Sequence, residues 1–473
     1  MIRHWWKKSA ALLLALALLA GGAPAAFAET ASQVNEVRSL LETYHLDAPD
    51  SELLNRAAIE GMIQAIGDPY TQYMSPEEWE AFANNLEQQY VGIGVYLTVQ
   101  GETVYVQDVI PDAPAEKAGV QPGDAIVQVD GKRPKSLQEA QQLLYGEAGT
   151  PMNLMLSRDG KQVKVRIVRQ TFVVPSASAR MMGERIGYLA LTSFSTDAPH
   201  QFARHLEELE KNGLNALILD LRGNGGGYID ASRQIAAHFI KEGVLAHLID
   251  RNGNDEPLVV SGKPRPYPVY VLVNEGTASA SELLAGALQD YGVARLVGKP
   301  TYGKGVAQLL LPVSGGGMLK VTAQEYLTPK KRKVDGVGLK PDQIVEGNAA
   351  QLIVAYRTAG GRKLSVTVGK GTVQVNGVRA AQPDAAYKHN GTWYVNGRLA
   401  AALIGARLEY DRQAKAVVLI RNGEKKTFRN AGDGLHVKNG VSAFDVRQLA
   451  KWTPGLSWNE RDHSLTIRVH AAE

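Results

Sequence analysis

The feature that most constrains the fold is an alternation of strand and helix patterns between residues 173 and 350. Short apolar runs predict buried strands, whereas apolar residues that recur every three to four positions predict helices. Such alternation is typical of a layered α/β domain. The strands are predicted at 186–194, 216–221 and 269–273, and the helices at 197–211, 228–240 and about 280–290.

Three further segments flank this predicted core. Residues 29–85 have apolar side chains at helical spacing, and residues 86–172 combine short strands with glycine turns and one helix. After a short glycine-containing linker at 358–362, residues 363–473 are predicted to be rich in strands. The sequence therefore predicts a multi-domain α/β protein with a helical N-terminal region, a small β-domain, a layered α/β core and a small β-rich C-terminal domain.

The first 28 residues have the pattern of an export signal. Three of the first eight residues are Lys or Arg, an apolar run follows at 10–20, and the small-x-small triplet Ala26-Phe27-Ala28 comes next. This order is typical of a secretory signal peptide, with cleavage expected after Ala28. The alternative is an uncleaved membrane anchor, for which the apolar run is short. We therefore expect an exported protein that is secreted, periplasmic or held at the outer face of the cytoplasmic membrane.

Composition removes several classes of function. The chain has 473 residues and no cysteine, which excludes disulfides, a thiol nucleophile and a cysteine-bound metal. Its 52 basic and 48 acidic residues are spread along the sequence, so no basic field indicates a nucleic-acid partner. The hydrophobic fraction of 44% provides enough apolar surface for sizeable cores.

Three motifs resemble functional signatures that they do not complete. Gly298–Gly305 is one substitution short of a P-loop, because Gly305 stands where Ser or Thr would hold magnesium. Gly223–Gly227 lacks the third glycine of the dinucleotide-binding fingerprint, where Tyr228 stands. This turn lies between a predicted strand and a predicted helix, so its N–H groups suit an oxyanion. The basic run Pro329–Val334 predicts a solvated surface loop rather than a nuclear address.

A serine and a lysine are the strongest candidates for chemistry. Ser279 and Glu282 form an S-x-x-E pattern at the start of a predicted helix, which a capping box alone would explain. Lys304 lies between glycines and apolar stretches, where burial would lower the pKa of its amine and let it act as a base. The Gly223–Gly227 turn is a ready oxyanion hole for such a pair.

The motifs around these residues resemble the carboxyl-terminal processing proteases, the tail-specific serine peptidases of the S41 group. The resemblance implies that Ser279 is the nucleophile, that Lys304 is the general base and that Gln308 orients Lys304. Ser281 stays open as the alternative nucleophile. The matching blocks are Asp220–Gly227, Thr277–Leu283, Ala285–Asp290, Thr301–Gln308 and Gly336–Asp342.

The same resemblance implies an oxyanion hole formed by the backbone N–H of Ala280 and that of Gly226 or Gly227. No metal or other cofactor is implied. The sequence departs from the family pattern at Gly225, where proline is usual, and at the basic run described above.

Residues 86–172 resemble a PDZ domain of the bacterial protease type. The resemblance rests on three ordered blocks, Tyr90–Val95, Pro114–Val120 and Gly123–Gly131. A glycine-rich loop can hold a C-terminal carboxylate, and the strand after it offers an edge to which a peptide adds. The predicted peptide-binding residues are Gly92, Ile93, Gly94 and Val95.

The C-terminal segment contains a weak internal repeat, at 389–420 and again at 438–467. Each copy predicts a turn, a strand, a short helix and a hairpin. The segment resembles a small domain of bacterial envelope proteins that is named after the N-terminal domain of copper amine oxidases, and we expect an add-on that contacts the cell wall or envelope. Its histidines are scattered along the sequence and predict no metal site: His389, His436, His463 and His470.

Two hypotheses for function follow. The first is an exported serine endopeptidase, without cofactor, that cleaves protein substrates whose apolar C-terminal tail is captured by the PDZ domain. A narrower form of it is a protease with one dedicated envelope substrate. The second is a non-catalytic envelope adaptor. The resemblance also implies a homodimer formed through the N-terminal helices.

Overall fold

The computed structural model describes residues 25–369, 372–382, 384–429, 431–461 and 464–470. The predicted signal peptide at 1–28 lies outside these ranges except for its last four residues, which belong to the first helix. Within the described ranges, no helix has the length and apolar character needed to cross a bilayer. The chain forms two compact units, one that ends at Tyr73 and one that begins at Met74.

The first unit contains two helices, α1 (Ala25–Tyr44) and α2 (Ser51–Ile66). Asp50 is the N-cap of α2: its side chain accepts a hydrogen bond from the N–H of Glu52 and so satisfies one free donor of the first turn. No side chain of α2 is buried. The helices predicted for this part of the chain are confirmed. A short strand, β1 (Gln72–Met74), spans the boundary between the units.

The second unit begins with helix α3 (Pro76–Leu86). The sequence Ser75-Pro76-Glu77-Glu78 predicts a helix start, with Ser75 as the N-cap followed by a first-turn proline and acids. The structure shows both bonds of a capping box. The Ser75 Oγ accepts from the N–H of Glu78 at 3.2 Å, and the Glu78 carboxylate accepts from the N–H of Ser75 at 2.9 Å. The predicted start of this helix is therefore confirmed.

The predicted PDZ segment folds around an antiparallel sheet. Its elements are β2 (Gln89–Gly92), β3 (Val95–Gln100), β4 (Thr103–Val109), α4 (Pro114–Lys117), β5 (Ala125–Val129), α5 (Leu137–Leu144), β6 (Pro151–Arg158), β7 (Lys161–Val168) and β8 (Gln170–Val173). Strands β3 to β7 form a five-stranded sheet in chain order, and β2 pairs with β8. Alternate apolar residues, such as Val104 and Leu154, are buried between the sheet and its helices.

The α/β core is built on a six-stranded sheet of order β18-β15-β14-β11-β10-β9, in which only β9 is antiparallel to its neighbour. A second, antiparallel sheet contains β16, β17, β12 and β13. The elements are β9 (Ala177–Met181), β10 (Ile186–Leu191), α6 (Ala198–Lys211), β11 (Ala216–Asp220), α7 (Ile229–Ala236), β12 (Glu242–Asp250), β13 (Asp255–Ser261), β14 (Val269–Val273), α8 (Ala280–Asp290), β15 (Ala294–Gly298), β16 (Val306–Pro312), β17 (Met318–Leu327), β18 (Gln343–Ile344) and α9 (Asn348–Thr358).

The two faces of the parallel sheet bury different partners. Leu217 and Leu219 of β11 pack in one apolar cluster with α6, α7 and α8. Ala216 and Ile218 pack on the other face, with α9 and the C-terminal segment. Because β11 runs parallel to β10 and β14, the turn after it lies at the carboxyl end of the sheet, where α/β proteins place their ligands. The predicted layered α/β architecture is thus present.

Two predicted elements are longer than the observed ones. Helix α7 ends at Ala236 rather than at 240, because the N–H groups of His238 and Phe239 bond to carbonyls three residues back and tighten the chain into turns. Strand β10 ends at Leu191 rather than at 194, and Phe194 forms an isolated bridge to Gly227 instead.

The C-terminal segment contains the predicted repeat. A hairpin, a helix and a second hairpin occur in this order twice, from β22 to β25 around α10 and from β27 to β30 around α11. The elements are β19 (Lys363–Gly369), β20 (Thr372–Val375), β21 (Val378–Ala381), β22 (Ala386–His389), β23 (Thr392–Asn396), α10 (Gly397–Ile404), β24 (Arg407–Asp411), β25 (Ala416–Arg421), β26 (Glu424–Phe428), a 3-10 turn (Ala431–Asp433), β27 (Leu435–Lys438), β28 (Val441–Asp445), α11 (Val446–Trp452), β29 (Leu456–Arg461) and β30 (Ser464–His470).

The linker predicted at 358–362 is a short connection between α9 and β19, and it is bonded to the core. Helix α9 includes Thr358, and the Glu184 carboxylate accepts hydrogen bonds from the N–H of Lys363 at 2.8 Å and from the Tyr356 hydroxyl at 2.8 Å. Apolar side chains of the C-terminal segment join those of the core sheet and α9 in one cluster. This segment is therefore packed on the core along a shared apolar interior.

We expect a cavity in this shared interior to weaken the whole second unit. Leu403 is fully buried there, so Leu403→Ala removes about 2–5 kcal/mol from the free energy of unfolding. Val437 is 56% exposed, and Val437→Ala serves as the control that changes stability by less than about 0.5 kcal/mol. Urea unfolding followed by circular dichroism measures both. A Leu403→Ala midpoint equal to that of Val437→Ala would contradict the shared interior.

Candidate active site

Ser279 lies in the turn between β14 and α8, with φ +56° and ψ −119°. A positive φ is uncommon for a residue that has a Cβ, and it marks a strained turn. The glycine turn after β11 packs directly against it, because a Cβ on Gly226 would come within 2.9 Å of the Ser279 Cβ and 3.0 Å of the Ala280 nitrogen. This contact brings the predicted nucleophile and the predicted oxyanion turn together.

The glycine turn also determines which N–H groups are available. A Cβ on Gly227 would meet the Phe194 carbonyl oxygen at 2.4 Å, so only glycine fits there. The Gly226 N–H donates to the side-chain oxygen of Asn224 at 2.9 Å. Because this bond occupies the Gly226 donor, Gly227 is the better of the two predicted oxyanion donors in the turn, beside Ala280.

Asn224 shapes the turn, and the sequence analysis missed it. Its side-chain amide donates to the Leu191 carbonyl at 2.8 Å, and its own carbonyl accepts from the Ala278 N–H at 3.0 Å. Asn224 is fully buried. A polar residue inside a glycine-rich turn was the signal that could have identified it.

The structure gives Ser281 a different position from Ser279. Ser281 is fully buried, and its hydroxyl donates to the Asn224 carbonyl at 2.9 Å. Ser279 instead lines an open cavity. Of the two candidate nucleophiles, the geometry favours Ser279 and assigns Ser281 to holding the turn.

Glu282 joins the two segments that carry the candidate serine and lysine. Its fully buried carboxylate accepts from the N–H groups of Ser279 at 3.0 Å, Gly303 at 2.7 Å and Lys304 at 2.9 Å, and also from the Thr301 hydroxyl. Burial raises the pKa of this carboxyl, and the four donors oppose that shift. The sequence predicted Glu282 only as part of a capping box, because its contacts with residues 301–304 are long-range.

All six predicted catalytic and oxyanion residues line one cavity of about 570 Å³. Lys304 lies two residues before β16, and Gln308 lies on that strand. The Gln308 amide is 3.5 Å from the Val306 carbonyl and 3.5 Å from the Thr322 hydroxyl, so both contacts are at the limit of hydrogen bonding. The predicted residues around the cavity are Ser279, Lys304, Gln308, Gly226, Gly227 and Ala280.

Part of the wall of this cavity is apolar. Phe82 and Leu86 of α3 and Leu310 of β16 line it, and the Lys320 ammonium lies 5.0 Å from the centre of the Phe82 ring. A wall of this kind suits an extended polypeptide with apolar side chains.

A buried ion pair, Asp220–Arg222, lies directly before the glycine turn and stabilises it. The Arg222 guanidinium binds both oxygens of Asp220, at 2.9 and 2.6 Å, and also donates to the Asn348 carbonyl of α9 at 2.6 Å. Tyr188 donates to the same carboxylate at 2.8 Å. Because every member has partners, this buried network fixes the turn at the end of β11.

The four predicted peptide-binding residues line a second cavity, of about 470 Å³. It contains the stretch from Gly92 to Val95 and apolar side chains such as Leu144 and Phe172. The Ile93 side chain is 3% exposed and packs mainly into the apolar interior of this domain. Gln88 and Thr192 line both this groove and the cavity at Ser279, so the two sites adjoin.

Two histidines of the C-terminal segment that are far apart in the sequence come together in the structure. The rings of His389 and His436 stack with 4.5 Å between their centres, although β22 and β27 are the two edge strands of their sheet. His463 lies outside the described residues, and His470 is exposed at the end of β30. Across the described ranges, no group of three His, Asp or Glu side chains could hold a metal ion.

The incomplete motifs have structural roles. Gly298–Gly305 leads into strand β16 instead of the helix that a P-loop requires. In the basic run after β17, Arg332 pairs with Asp290 at 2.6 Å and Lys331 with Asp255 at 2.9 Å. This run forms ion pairs on the surface of the core, as a solvated basic loop would.

Comparison with known proteins agrees with this geometry. The model of peptidase family S41 matches residues 185–345, and the PDZ domain model matches residues 91–168. A "Probable CtpA-like serine protease" of Staphylococcus aureus (strain COL) is 31% identical over 321 residues, which are 67% of this chain and 64% of that protein. The "Carboxy-terminal processing protease CtpB" of Bacillus subtilis (strain 168) is 31% identical over 318 residues, which are 65% of this chain and 66% of that protein.

Among solved structures, the photosystem II D1 C-terminal processing protease shares 31% identity, covers 65% of this chain and 86% of its own, and gives a TM-score of 0.42. The chain spans 64–66% of the length of the two curated relatives. Residues 185–345 match the model of peptidase family S41, which confirms the resemblance seen in the motifs of this segment. The likeness of residues 363–473 to the copper amine oxidase domain stays a prediction.

We expect Glu282→Gln to disrupt the site while the fold is kept. One carboxylate oxygen accepts from the N–H groups of Ser279 and Lys304, and the other accepts from the Gly303 N–H and the Thr301 hydroxyl. An amide offers one acceptor oxygen in place of two, so one of these two pairs of donors loses its acceptor. The expected loss is about 100-fold or more in kcat toward a polypeptide, as for the removal of one oxyanion donor. Glu275→Gln is the control, because Glu275 is an exposed residue of the same turn that pairs with Lys299. Near-normal kcat in Glu282→Gln would contradict this role.

Proposed function

We propose that this chain is a serine endopeptidase of the carboxyl-terminal processing type that uses a Ser279–Lys304 dyad. The observation that carries the proposal is the carboxylate of Glu282, which binds the backbone N–H of both residues and holds them at one cavity. The match to the S41 family model supports the reaction class. The Bacillus subtilis relative is named for carboxy-terminal processing, and we propose the same type of activity for this chain.

The reaction would proceed through an acyl-enzyme. Neutral Lys304 takes the proton of the Ser279 hydroxyl as its oxygen attacks the scissile carbonyl. The N–H groups of Gly227 and Ala280 stabilise the oxyanion that forms. Lys304 then gives the proton to the leaving amine, and a water molecule hydrolyses the ester on Ser279. Gln308 lies on β16, four residues after Lys304, and would orient the Lys304 amine.

Substrate capture belongs to the PDZ groove in this proposal. A C-terminal carboxylate would bind the N–H groups of the Gly92–Val95 loop, and the tail would add as a strand along β3. Because Gln88 and Thr192 line both cavities, the chain that leaves the groove arrives directly at the cleft of Ser279. Capture of the tail would thereby place an upstream segment at the dyad.

We further propose that the protein acts outside the cytoplasm. The support is the signal-peptide pattern of residues 1–28. Contact of the C-terminal domain with the cell wall or envelope stays a prediction.

Substitution of the dyad tests the proposed chemistry. We expect Ser279→Ala and Lys304→Ala to lower kcat roughly 10⁴-fold on an unfolded reporter protein with an apolar tail, because either change removes the acyl-transfer step. Ser281→Ala is the control. It removes a buried hydrogen bond, lowers the free energy of unfolding by about 1 kcal/mol and keeps activity. Intact-mass analysis of the products measures cleavage of the reporter by each of the three variants.

The same assay separates the two hypotheses for function. Cleavage that survives Ser279→Ala and is lost in Ser281→Ala would move the nucleophile by two residues. A wild-type chain that binds the reporter tail and leaves it uncleaved would favour the non-catalytic adaptor.

The N-terminal helices are the proposed dimer contact. Leu53 and Met62 of α2 are 62% and 64% exposed. Large apolar side chains that are exposed on one helix can mark a surface that another protein surface covers. We expect Leu53→Asp with Met62→Asp to convert a dimer of residues 29–473 into a monomer in analytical ultracentrifugation. Glu52→Gln, on the same helix, should leave the mass unchanged. A monomeric mass for the unmodified chain would contradict the dimer.

A further inference from the structure

A cavity of about 1400 Å³ lies between α9 of the core and the C-terminal domain. Most of its lining residues lie beyond residue 345, where the match to the peptidase family ends. Its floor is apolar and is formed by helices α9 and α10 and by strands β24 and β25. The apolar residues that line it include Val354, Ala401, Ala402, Leu408 and Val417.

The rim of this cavity carries an excess of positive charge. Two acidic side chains line it, and each has an arginine partner: Glu346 pairs with Arg398, and Glu409 pairs with Arg407 at 2.7 Å. Three further basic side chains line the cavity, and in the described ranges none of them has a carboxylate within ion-pair distance. They are Arg357, Lys415 and Arg429.

Arg357 stands out among these cations. One of its terminal nitrogens donates to the Leu403 carbonyl, whereas its Nε is fully buried and has no acceptor among the described residues. Burial and the nearby Arg421 lower the pKa of the guanidinium. A partly desolvated charge without a counter-ion is costly, so the geometry points to an anion that comes from outside the chain.

Strand β24 supplies a second recognition element beside Arg357. It pairs only with β25 in the described part of the chain, so one of its edges is free, and its residues 407–410 line the cavity. Its side chains are largely exposed, with Tyr410 at 62%. A free strand edge presents unpaired N–H and C=O groups to which an extended peptide can add. Lipid headgroups and free phosphate lack a backbone that would use this edge.

The position of Arg357 fits one direction of peptide addition. Its Nη1 lies 4.0 Å from the point where a Cβ on Gly405 would stand, just before β24 begins. When a strand adds antiparallel to β24, its C-terminal end lies opposite the first residues of β24. A terminal carboxylate would therefore fall beside Arg357.

We propose that this cavity is a second tail-binding site, in which an extended apolar peptide adds antiparallel to β24 and its free C-terminal carboxylate binds Arg357. The apolar side chains of the peptide would occupy the floor of the cavity. The site requires neither the dyad nor the PDZ groove, so it goes beyond the proposed function.

The absence of cysteine allows a local test. Tyr410→Cys in a Ser279→Ala background is labelled with an environment-sensitive fluorophore and titrated with an eight-residue apolar peptide that ends in a free carboxylate. We expect a saturable change. The amidated peptide, or the additional change Arg357→Met, should weaken binding about tenfold or more, because either removes the charge-assisted bond. Arg357→Lys keeps the charge, so its affinity for the peptide should lie between that of the protein with Arg357 and that of Arg357→Met.

A matched reporter separates this site from the PDZ groove. Tyr145 is 57% exposed and lines that groove, so Tyr145→Cys carries the same label there. A response at Tyr145→Cys without one at Tyr410→Cys would overturn the proposal and leave tail capture by the PDZ groove intact. Equal affinity of the acid and the amide would also overturn it, as would a response to phosphatidylglycerol vesicles but not to the peptide. Cleavage by the wild-type chain is measured separately and reports only on the proposed protease function.

Discussion

The architecture of the candidate site depends on one buried carboxylate. Glu282 accepts four hydrogen bonds, and they come from two segments that lie more than twenty residues apart. If it were absent, the buried N–H groups of Ser279, Gly303 and Lys304 would lack partners, at about 1–3 kcal/mol each. The first turn of α8 and the loop before β16 are therefore fixed relative to each other before any substrate binds.

A second chain of contacts connects the oxyanion turn to the C-terminal domain. The Gln382 side chain accepts from the Ala349 N–H at 3.1 Å, and the neighbouring Asn348 carbonyl accepts from Arg222, which holds Asp220 at the end of β11. The domain that the family match does not include is thus bonded to the helix that supports the turn. The packing of the C-terminal domain on α9 is therefore connected, through Arg222, to the glycine turn of the candidate site.

Local patterns in the sequence predicted most elements, and they failed where distant segments decide. Strand Val269–Val273 and the Ser75 cap depend on neighbours in sequence, and the structure has them where they were predicted. Glu282 was seen only as a cap, because its bonds to the loop before β16 require the fold. The shared interior between the core and residues 363–473 was missed for the same reason, since an apolar strand does not indicate which surface will cover it.

The adjoining cavities explain why tail recognition and internal cleavage are compatible in the proposed function. A peptide held by its carboxylate in the Gly92–Val95 loop must run along the groove before it reaches Gln88 and Thr192, so its last residues remain there. The segment that reaches Ser279 is then an upstream one, and its side chains meet the apolar wall that contains Phe82. Such an arrangement selects substrates by their ends and cuts them at a distance from those ends, which suits an endopeptidase rather than an enzyme that removes single residues.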